Sequence, residues 1–335
     1  MSGVIARTPA TGSAALRDIQ APVRDRLEEV VRAMHSIVTD ELPLIREVSG
    51  HLLEMRGKMF RPTLALLASA VDDKPDPRGI TLAAVVELMH LATLVHDDSV
   101  DHSSLRRGRP TVNSMFSHQV SVIMGDYLYS RALTALVGMA DLEILRIVTD
   151  VANELTIGEM RQLAAIDSLQ FGEADYYQLI RCKTASLLSG ACESGALCGA
   201  AGYRQVLAQY GDRLGMAFQI TDDILDYTGE ASVTGKPGGL DLREHKMTLP
   251  LIAALPSVSP AGRERIGAVF ASATPDDELI LDVITIVAEA GGIDYARQRG
   301  ARFAEDAGET LRRLPDSPAR AALADAISYV LDRRS

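Results

Sequence analysis

Two segments of this chain are apolar almost all the way round a helix, and each ends in the same acidic spacing. Residues 82–95 read LAAVVELMHLATLV and run into Asp97, Asp98 and Asp101. Residues 211–229 read GDRLGMAFQITDDILDYTG and carry Asp222, Asp223 and Asp226. A helix without a polar face belongs inside a helical core. Asp97 and Asp101 stand at i and i+4, as do Asp222 and Asp226, so each pair shares a helix face. Like charges placed this way repel by roughly a few tenths of a kcal/mol even in water. Burying both clusters without a counter-ion costs far more. The pattern therefore calls for a helical fold in which positive charge sits between the two clusters.

The rest of the chain reads the same way. No alternating run is long enough for a strand, and no βαβ rhythm occurs. Periodicity places helices near residues 22–38, 41–54, 59–71, 78–102, 114–138, 141–166, 172–200 and 203–227, with shorter ones from about 247 to 332. Residues 184–202, TASLLSGACESGALCGAAG, are rich in small side chains that allow close helix packing. No Pro/Ser/Gly linker divides the chain, and no short-period repeat is present. The expectation is an all-α fold: a flexible N-terminus over 1–16, then one domain over 17–335, a bundle of long helices around a central cavity. With 335 residues, 47% of them hydrophobic, a substantial core is available.

Charge and composition exclude several function classes. A net charge of −11 with six Phe, nine Tyr and no Trp disfavours nucleic-acid binding. Cys182, Cys192 and Cys198 are odd in number and form no C-x-x-C pair, so neither a disulfide framework nor a zinc site is expected. They read as small core residues in a reducing compartment. No run of about 18 uncharged apolar residues occurs, so no membrane span is expected. The first 17 residues carry Arg7 and Arg17 and no acid, a short start that reads as loose chain rather than a targeting signal. A cytoplasmic location follows as the expectation.

Carboxylates and water suit Mg²⁺, a hard cation that keeps part of its hydration and shares its site with substrate phosphates. Facing aspartate clusters would clamp Mg²⁺ and a diphosphate between them. The basic residues fit this arrangement. Arg106 and Arg107 follow the first cluster, and guanidinium forks match phosphate oxygens. RGKMFRP supplies Lys58 and Arg61, CKTAS supplies Lys183 with Thr184, TGKPGG supplies Lys236, and REHKMTLPL supplies Lys246. Singly, each reads as a surface charge. Together they stand beside Gly, Pro or an acidic cluster, where phosphate-binding loops gather. The P-loop pattern itself is absent.

LMHLATLVHDDSVDHSSLRRGRPTVN and GMAFQITDDILDYTGEASVTGKPGGLDLREHKMTLPL resemble the two aspartate-rich regions of the trans-isoprenyl diphosphate synthases, also called polyprenyl synthetases. The resemblance spans Gly57 to Leu251 and implies the isoprenoid synthase fold. It implies an enzyme that joins an allylic diphosphate to isopentenyl diphosphate, head to tail. It also implies that Asp97, Asp101 and Asp222 hold Mg²⁺, with Asp98, Asp223 and Asp226 in support. Arg106 resembles an allylic-diphosphate contact. Lys58, Arg61, His90 and Arg107 resemble the isopentenyl diphosphate site. Lys183, Thr184, Gln219, Lys236 and Lys246 resemble the residues around the allylic substrate. Thr184 and Gln219 can offer oxygen lone pairs to an allylic cation without a carboxylate's reactivity. The chain has no obvious dedicated base, and the resemblance implies that the released diphosphate accepts the proton. Family members also lead one to expect a homodimer, with the apolar helix near 114–138 as its interface.

Three positions depart from the family pattern: Arg56-Gly57-Lys58, where two glycines commonly precede the lysine; His102, where another acid often follows; and Glu244-His245-Lys246, where a glycine often stands in the middle. His96 and Glu87 are read as structural or as supporting the site. Ala92 and Thr93, a turn before Asp97, are the expected chain-length positions, because an aromatic there blocks the tunnel in short-product synthases. Leu88 and Met89 continue that helix, and Met115, Phe116, Val120 and Met124 are expected tunnel-floor residues. By the same resemblance, small residues at 92 and 93 imply a long product of about six to ten isoprene units, with pocket depth as the physical reason and Ala92→Phe expected to shorten it. The alternatives are a short-chain synthase, a class I terpene cyclase and a non-catalytic subunit of a heteromeric synthase. The intact second D-D-x-x-D, Lys58 with Arg61, and the low aromatic content argue against a cyclase. Retention of every aspartate argues against a non-catalytic subunit. Some membrane contact at product release is expected, without a basic amphipathic helix to serve it.

Overall fold

The computed structural model describes residues 15–55, 57–106, 108–166, 169–229 and 238–332. Helix α1 (Leu16–Gln20) passes through a 3₁₀ turn into α2 (Arg24–Val38), followed by α3 (Pro43–Glu54), α4 (Phe60–Ala70) and α5 (Arg78–Val100). Residues 1–14 of the expected flexible terminus lie outside the described residues, and α1 begins within the stretch expected to be loose. After α5 the chain makes a short hairpin, Leu105–Arg106 against Arg109–Pro110, turning at Gly108 with φ +74°. That conformation costs glycine nothing. Then come α6 (Val112–Met115), α7 (His118–Gly138), α8 (Leu142–Ala165), α9 (Glu173–Ile180), α10 (Ser186–Leu197) and α11 (Arg204–Thr228). The C-terminal part holds α12 (Leu240–Arg243), α13 (Leu249–Ala254), α14 (Pro260–Ala271), α15 (Asp277–Glu289), α16 (Gly292–Leu311) and α17 (Pro318–Leu331).

Helix starts are set by side-chain caps. Ser117 accepts the Val120 N–H, and Asp141 accepts those of Glu143 and Ile144. Asp141 also accepts Arg78 Nη1 at 2.9 Å, which ties the start of α8 to the start of α5. Helix α5 packs on α7, and α11 lies against α10 and α16. Leu82, Leu88 and Met89 of α5 belong to the larger apolar cluster, as do Leu214 and Ala217 of α11. Met216, Ile220 and Ile224 of α11 join a second cluster with α13 to α16. Helix α5 is long and apolar enough to cross a membrane by length and composition, yet 67% of that window is buried inside the protein. The apolar surface that passes the test is core.

The small residues of 184–202 allow close backbone approach. A Cβ on Gly195 would stand 2.4 Å from the Ala65 carbonyl oxygen on α4. From the other side, a Cβ on Gly211 would meet the Leu188 carbonyl oxygen at 2.6 Å. Backbone cannot swing aside as a side chain can, so Gly195→Ala should lower stability by about 1–3 kcal/mol. Thermal unfolding checks this, and an unchanged midpoint would contradict the packing described.

Candidate active site

The C-terminal end of α5 presents one face to a cavity of about 440 Å³. Thr93, His96, Asp97, Val100 and Asp101 line it, at i, i+3, i+4, i+7 and i+8 of the helix. Leu155, Thr156, Glu159, Met160 and Leu163 of α8 form the facing wall, with Tyr129 from α7, and Glu244 and Lys246 also line it. The walls are therefore mainly apolar and the Asp97–Asp101 end is charged. Asp98, one residue round the helix, is buried instead. Its two oxygens accept Arg106 Nε at 2.7 and 2.9 Å, so it anchors the arginine.

Lys183 and Thr184 sit on a π turn, Arg181–Ala185, inserted between α9 and α10. Such turns widen a helix locally and recur at functional sites. Gly158 of α8 lets the turn come close: a Cβ there would meet Lys183 N at 3.0 Å. Lys183 Nζ donates to Glu159 Oε2 and Gln162 Oε1, both at 2.9 Å, and lies 4.0 Å from Asp97 Oδ2. Burial pushes the Asp97 carboxyl up to about 6; Lys183 opposes the shift, and Glu159 and Asp101 add to it.

On α11, Asp223 is buried and accepts Tyr176 Oη at 2.6 Å and Gln219 Nε2 at 2.8 Å. Thr184 Oγ1 donates to Gln219 Oε1 at 2.6 Å. Desolvation raises Asp223 to about 7 against those two hydrogen bonds, with Asp222 and Asp226 reinforcing the rise. Asp226 caps α12, its carboxylate accepting the Leu240 and Asp241 N–H groups at 3.0 Å each. Asp222 is half-buried one turn before Asp226. A second cavity, about 160 Å³, is lined by Thr184, Gln219, Asp223, Asp241 and Lys246 on its polar side and by Phe171, Ile180 and Met247 elsewhere. Gln162, Ile166 and Lys246 line both cavities, so the two adjoin. Desolvation, then Asp223 and Asp226, lift Asp241 well above the usual carboxylate range. Against desolvation, Glu244, Asp241 and Asp101 hold Lys246 above its ordinary value.

Among the described residues lining the two cavities, Lys183 and Lys246 face six carboxylates: Asp97, Asp101, Glu159, Asp223, Asp241 and Glu244. That deficit of positive charge is what the acidic spacing led one to expect. Among the described residues, no three His, Cys, Asp or Glu side chains converge closely enough to hold a metal alone. The donors are nonetheless hard oxygens, which suits a hydrated divalent cation that completes its shell with substrate phosphates.

A model of the Polyprenyl synthetase family matches residues 42–287. The chain belongs to that family. It is 39% identical over 319 residues to the all-trans-nonaprenyl-diphosphate synthase (geranyl-diphosphate specific) of Rhodobacter capsulatus, covering 95% of this chain and 98% of that one. It is 35% identical to a short chain isoprenyl diphosphate synthase of Methanothermobacter thermautotrophicus, covering 94% and 98%. The crystal structure of a polyprenyl synthase from Caulobacter crescentus, complexed with calcium and isoprenyl diphosphate, superposes with a TM-score of 0.91 at 30% identity, covering 97% of this chain and 99% of that one. The fold is thus the all-α isoprenoid synthase fold.

Other family positions lie apart from the two acidic cavities or outside the described residues. Lys58 borders a different depression, of about 390 Å³, with Leu16, Arg17, Gln20 and Arg24, and its carbonyl accepts Gln20 Nε2 at 2.9 Å. Arg61 on α4 and His90 on α5 line neither acidic cavity. Arg107 and Lys236 lie outside the described residues. Ala92 is fully buried in the core and does not line the 440 Å³ cavity, because one residue along a helix is a rotation of about 100°. Thr93 is the lining residue of that pair. Leu88 and Met89 are likewise core, Met115 is exposed, and Phe116, Val120 and Met124 line neither cavity. The facing wall is α8, which the sequence marked only as a helix near residues 141–166. Glu159, Gln162, Tyr176 and Asp241 were also missed.

The family's usual glycine before Lys246 is explained by geometry. His245 holds φ +54°, in the left-handed region, which costs a non-glycine residue roughly 1–2 kcal/mol. Its Nε2 bonds the Ser272 carbonyl oxygen at 3.0 Å and its ring stacks on Phe270. These contacts offset the strain and keep the turn.

The raised carboxylates give a pH dependence. Asp97 and Asp223 bind protons more tightly folded than unfolded, so the stability they lend is present below pH 4 and is lost as pH rises through about 6 to 7. A divalent cation held at Asp97 would compete with its proton. Cation affinity should therefore climb between about pH 5 and 7, as read by calorimetric titration with Mg²⁺. A flat profile would contradict the assignment.

Proposed function

We propose that this chain is a prenyltransferase that condenses an allylic diphosphate with successive isopentenyl diphosphates, head to tail, to a long-chain all-trans polyprenyl diphosphate. The observation that carries the reading is one cavity with Asp97 and Asp101 at one end and the apolar wall of α8 along its side. A polar head is held while a hydrocarbon tail lengthens away from it. Thr93 leaves the way past Asp97 open, which favours the long-chain reading over the short-chain one.

In this reading Asp97, Asp101 and Asp222 hold Mg²⁺. Bound there, Mg²⁺ supplies charge neutralisation for a departing diphosphate. Lys183, Lys246 and Arg106 add positive charge on the same side, with Arg106 held in place by Asp98. Thr184 and Gln219 present oxygen lone pairs to the allylic cation formed when the C–O bond breaks. The isopentenyl double bond then attacks, and the released diphosphate takes the proton. The apolar walls keep water from the cation. Lys58, Arg61, His90 and Arg107 are proposed to hold isopentenyl diphosphate.

A cytoplasmic homodimer completes the proposal. Ile123 and Val137 of α7 are 67% and 64% exposed, large apolar side chains on the helix expected at the interface.

The test is incorporation of labelled isopentenyl diphosphate into solvent-extractable product by the purified protein. Incorporation should require both an allylic diphosphate and Mg²⁺ and stop with EDTA. No incorporation with geranyl, farnesyl or geranylgeranyl diphosphate would overturn the stand-alone synthase reading.

A further inference from the structure

We propose that Tyr176 is a positioning residue for the bond-forming step: through Asp223 and Gln219 it sets which way the Thr184 hydroxyl points. The proposal rests on the prenyltransferase reading above. Tyr176 is 1% exposed, on α9, one turn before the π turn that carries Thr184. Its hydroxyl has a single proton, donated to Asp223 Oδ2 at 2.6 Å. Asp223 Oδ1 accepts Gln219 Nε2 at 2.8 Å. An amide has its donor and acceptor on opposite sides of one carbon. With its nitrogen committed to Asp223, Gln219 turns Oε1 to Thr184, whose hydroxyl donates to it at 2.6 Å. Each link leaves the next a single role. Thr184 Oγ1 ends the chain with its proton used, so toward the cavity it offers lone pairs only.

That polarity matters for a cation. A lone pair beside a developing positive charge stabilises it, and an O–H dipole pointed the other way opposes it. The start of the chain is fixed from outside the site. Glu173 accepts Tyr177 Oη at 2.6 Å and Tyr295 Oη at 2.9 Å, and Arg299 Nε donates to Tyr177 Oη at 2.9 Å. These bonds fasten α9 to α16 beside Tyr176, and none of them involves an aspartate of either cluster. Side chains so anchored hold their neighbours in one orientation, and removing such a support commonly costs about 10–100-fold in activity.

Tyr176→Phe keeps the ring and removes the donor. In the otherwise unaltered protein kcat should fall about tenfold or more, while KM for both diphosphates stays within about twofold. In a Thr184→Val background, which has no hydroxyl to orient, the same change should alter kcat by less than about twofold. Equal losses in the two backgrounds, or a loss confined to KM, would overturn the proposal. Should Tyr176→Phe fail to fold, Tyr176→Met tests the same link, since a flexible thioether fills part of the ring's space without donating to Asp223. It too should lower kcat with Thr184 present and change it little with Val at 184; equal losses again overturn the relay. Activity of the unaltered protein is the control. Its absence would remove the prenyltransferase reading and this proposal together, whereas activity with equal losses removes the relay alone.

Discussion

Asp97→Asn should lower turnover on the order of a thousandfold while making the metal-free protein more stable. Both effects come from the same crowding. Asp97 lies among Asp101, Glu159 and the single ammonium of Lys183, and burial holds its carboxyl near pH 6. Ionising it in the folded protein is therefore costly, and asparagine removes that cost. The same carboxylate is proposed to hold the cation that faces the diphosphate, and losing one preorganised electrostatic contact of this kind removes about two to three decades of rate. Stability gained where activity is lost marks a functional residue rather than a structural one. Asp98→Ala should lose stability instead, and free Arg106 from its anchor. Its carboxylate is buried but Arg106 is partly exposed, so breaking the pair should destabilise the protein by about 1–3 kcal/mol. Steady-state assays with Mg²⁺ and calorimetric unfolding in EDTA separate the two aspartates. A destabilised Asp97→Asn protein of near-normal turnover would contradict this reading of the acidic cluster.

Thr93→Phe should shorten the product by several isoprene units with initiation largely intact. Thr93 lines the cavity one turn before Asp97, on the same stripe as the aspartates. An aromatic ring there fills the way past the diphosphate end. Ala92→Phe, the change the sequence alone recommended, forces a ring into the fully buried side of α5 and should cost about 1–3 kcal/mol. Chromatography of the dephosphorylated products, with thermal unfolding beside it, distinguishes the pair. If Ala92→Phe shortened the product and Thr93→Phe did not, the cavity described would not be the tunnel.

The contrast between residues 92 and 93 indicates where sequence reading stopped. Helix existence was legible because α5 is apolar on nearly every face and has to be core, and the apolar positions of α11 recur at helical spacing. The acidic spacing was legible because a buried i, i+4 carboxylate pair has few physical resolutions. What the sequence could not supply was rotation: which neighbours of Asp97 share its face depends on how α5 is set against α7 and α8. The resemblance set Asp98, Asp223 and Asp226 in support of the other three, but it could not name what each of them holds: Arg106, Tyr176 with Gln219, and the start of α12. Asp241 was missed because its importance comes from lying against the second cluster 15 residues after Asp226. Tyr176 carried no signal, since a single tyrosine in a helix reads as core.

The most direct test of the central claim is the length of what the unaltered protein makes. Purified protein, labelled isopentenyl diphosphate, an allylic starter and Mg²⁺ would be incubated over time and the dephosphorylated products sized by chromatography. A ladder of intermediates that stops at one prenol of about six to ten units is the predicted result, set by the depth of the cavity. A product that stops at three or four units would contradict the open tunnel past Thr93.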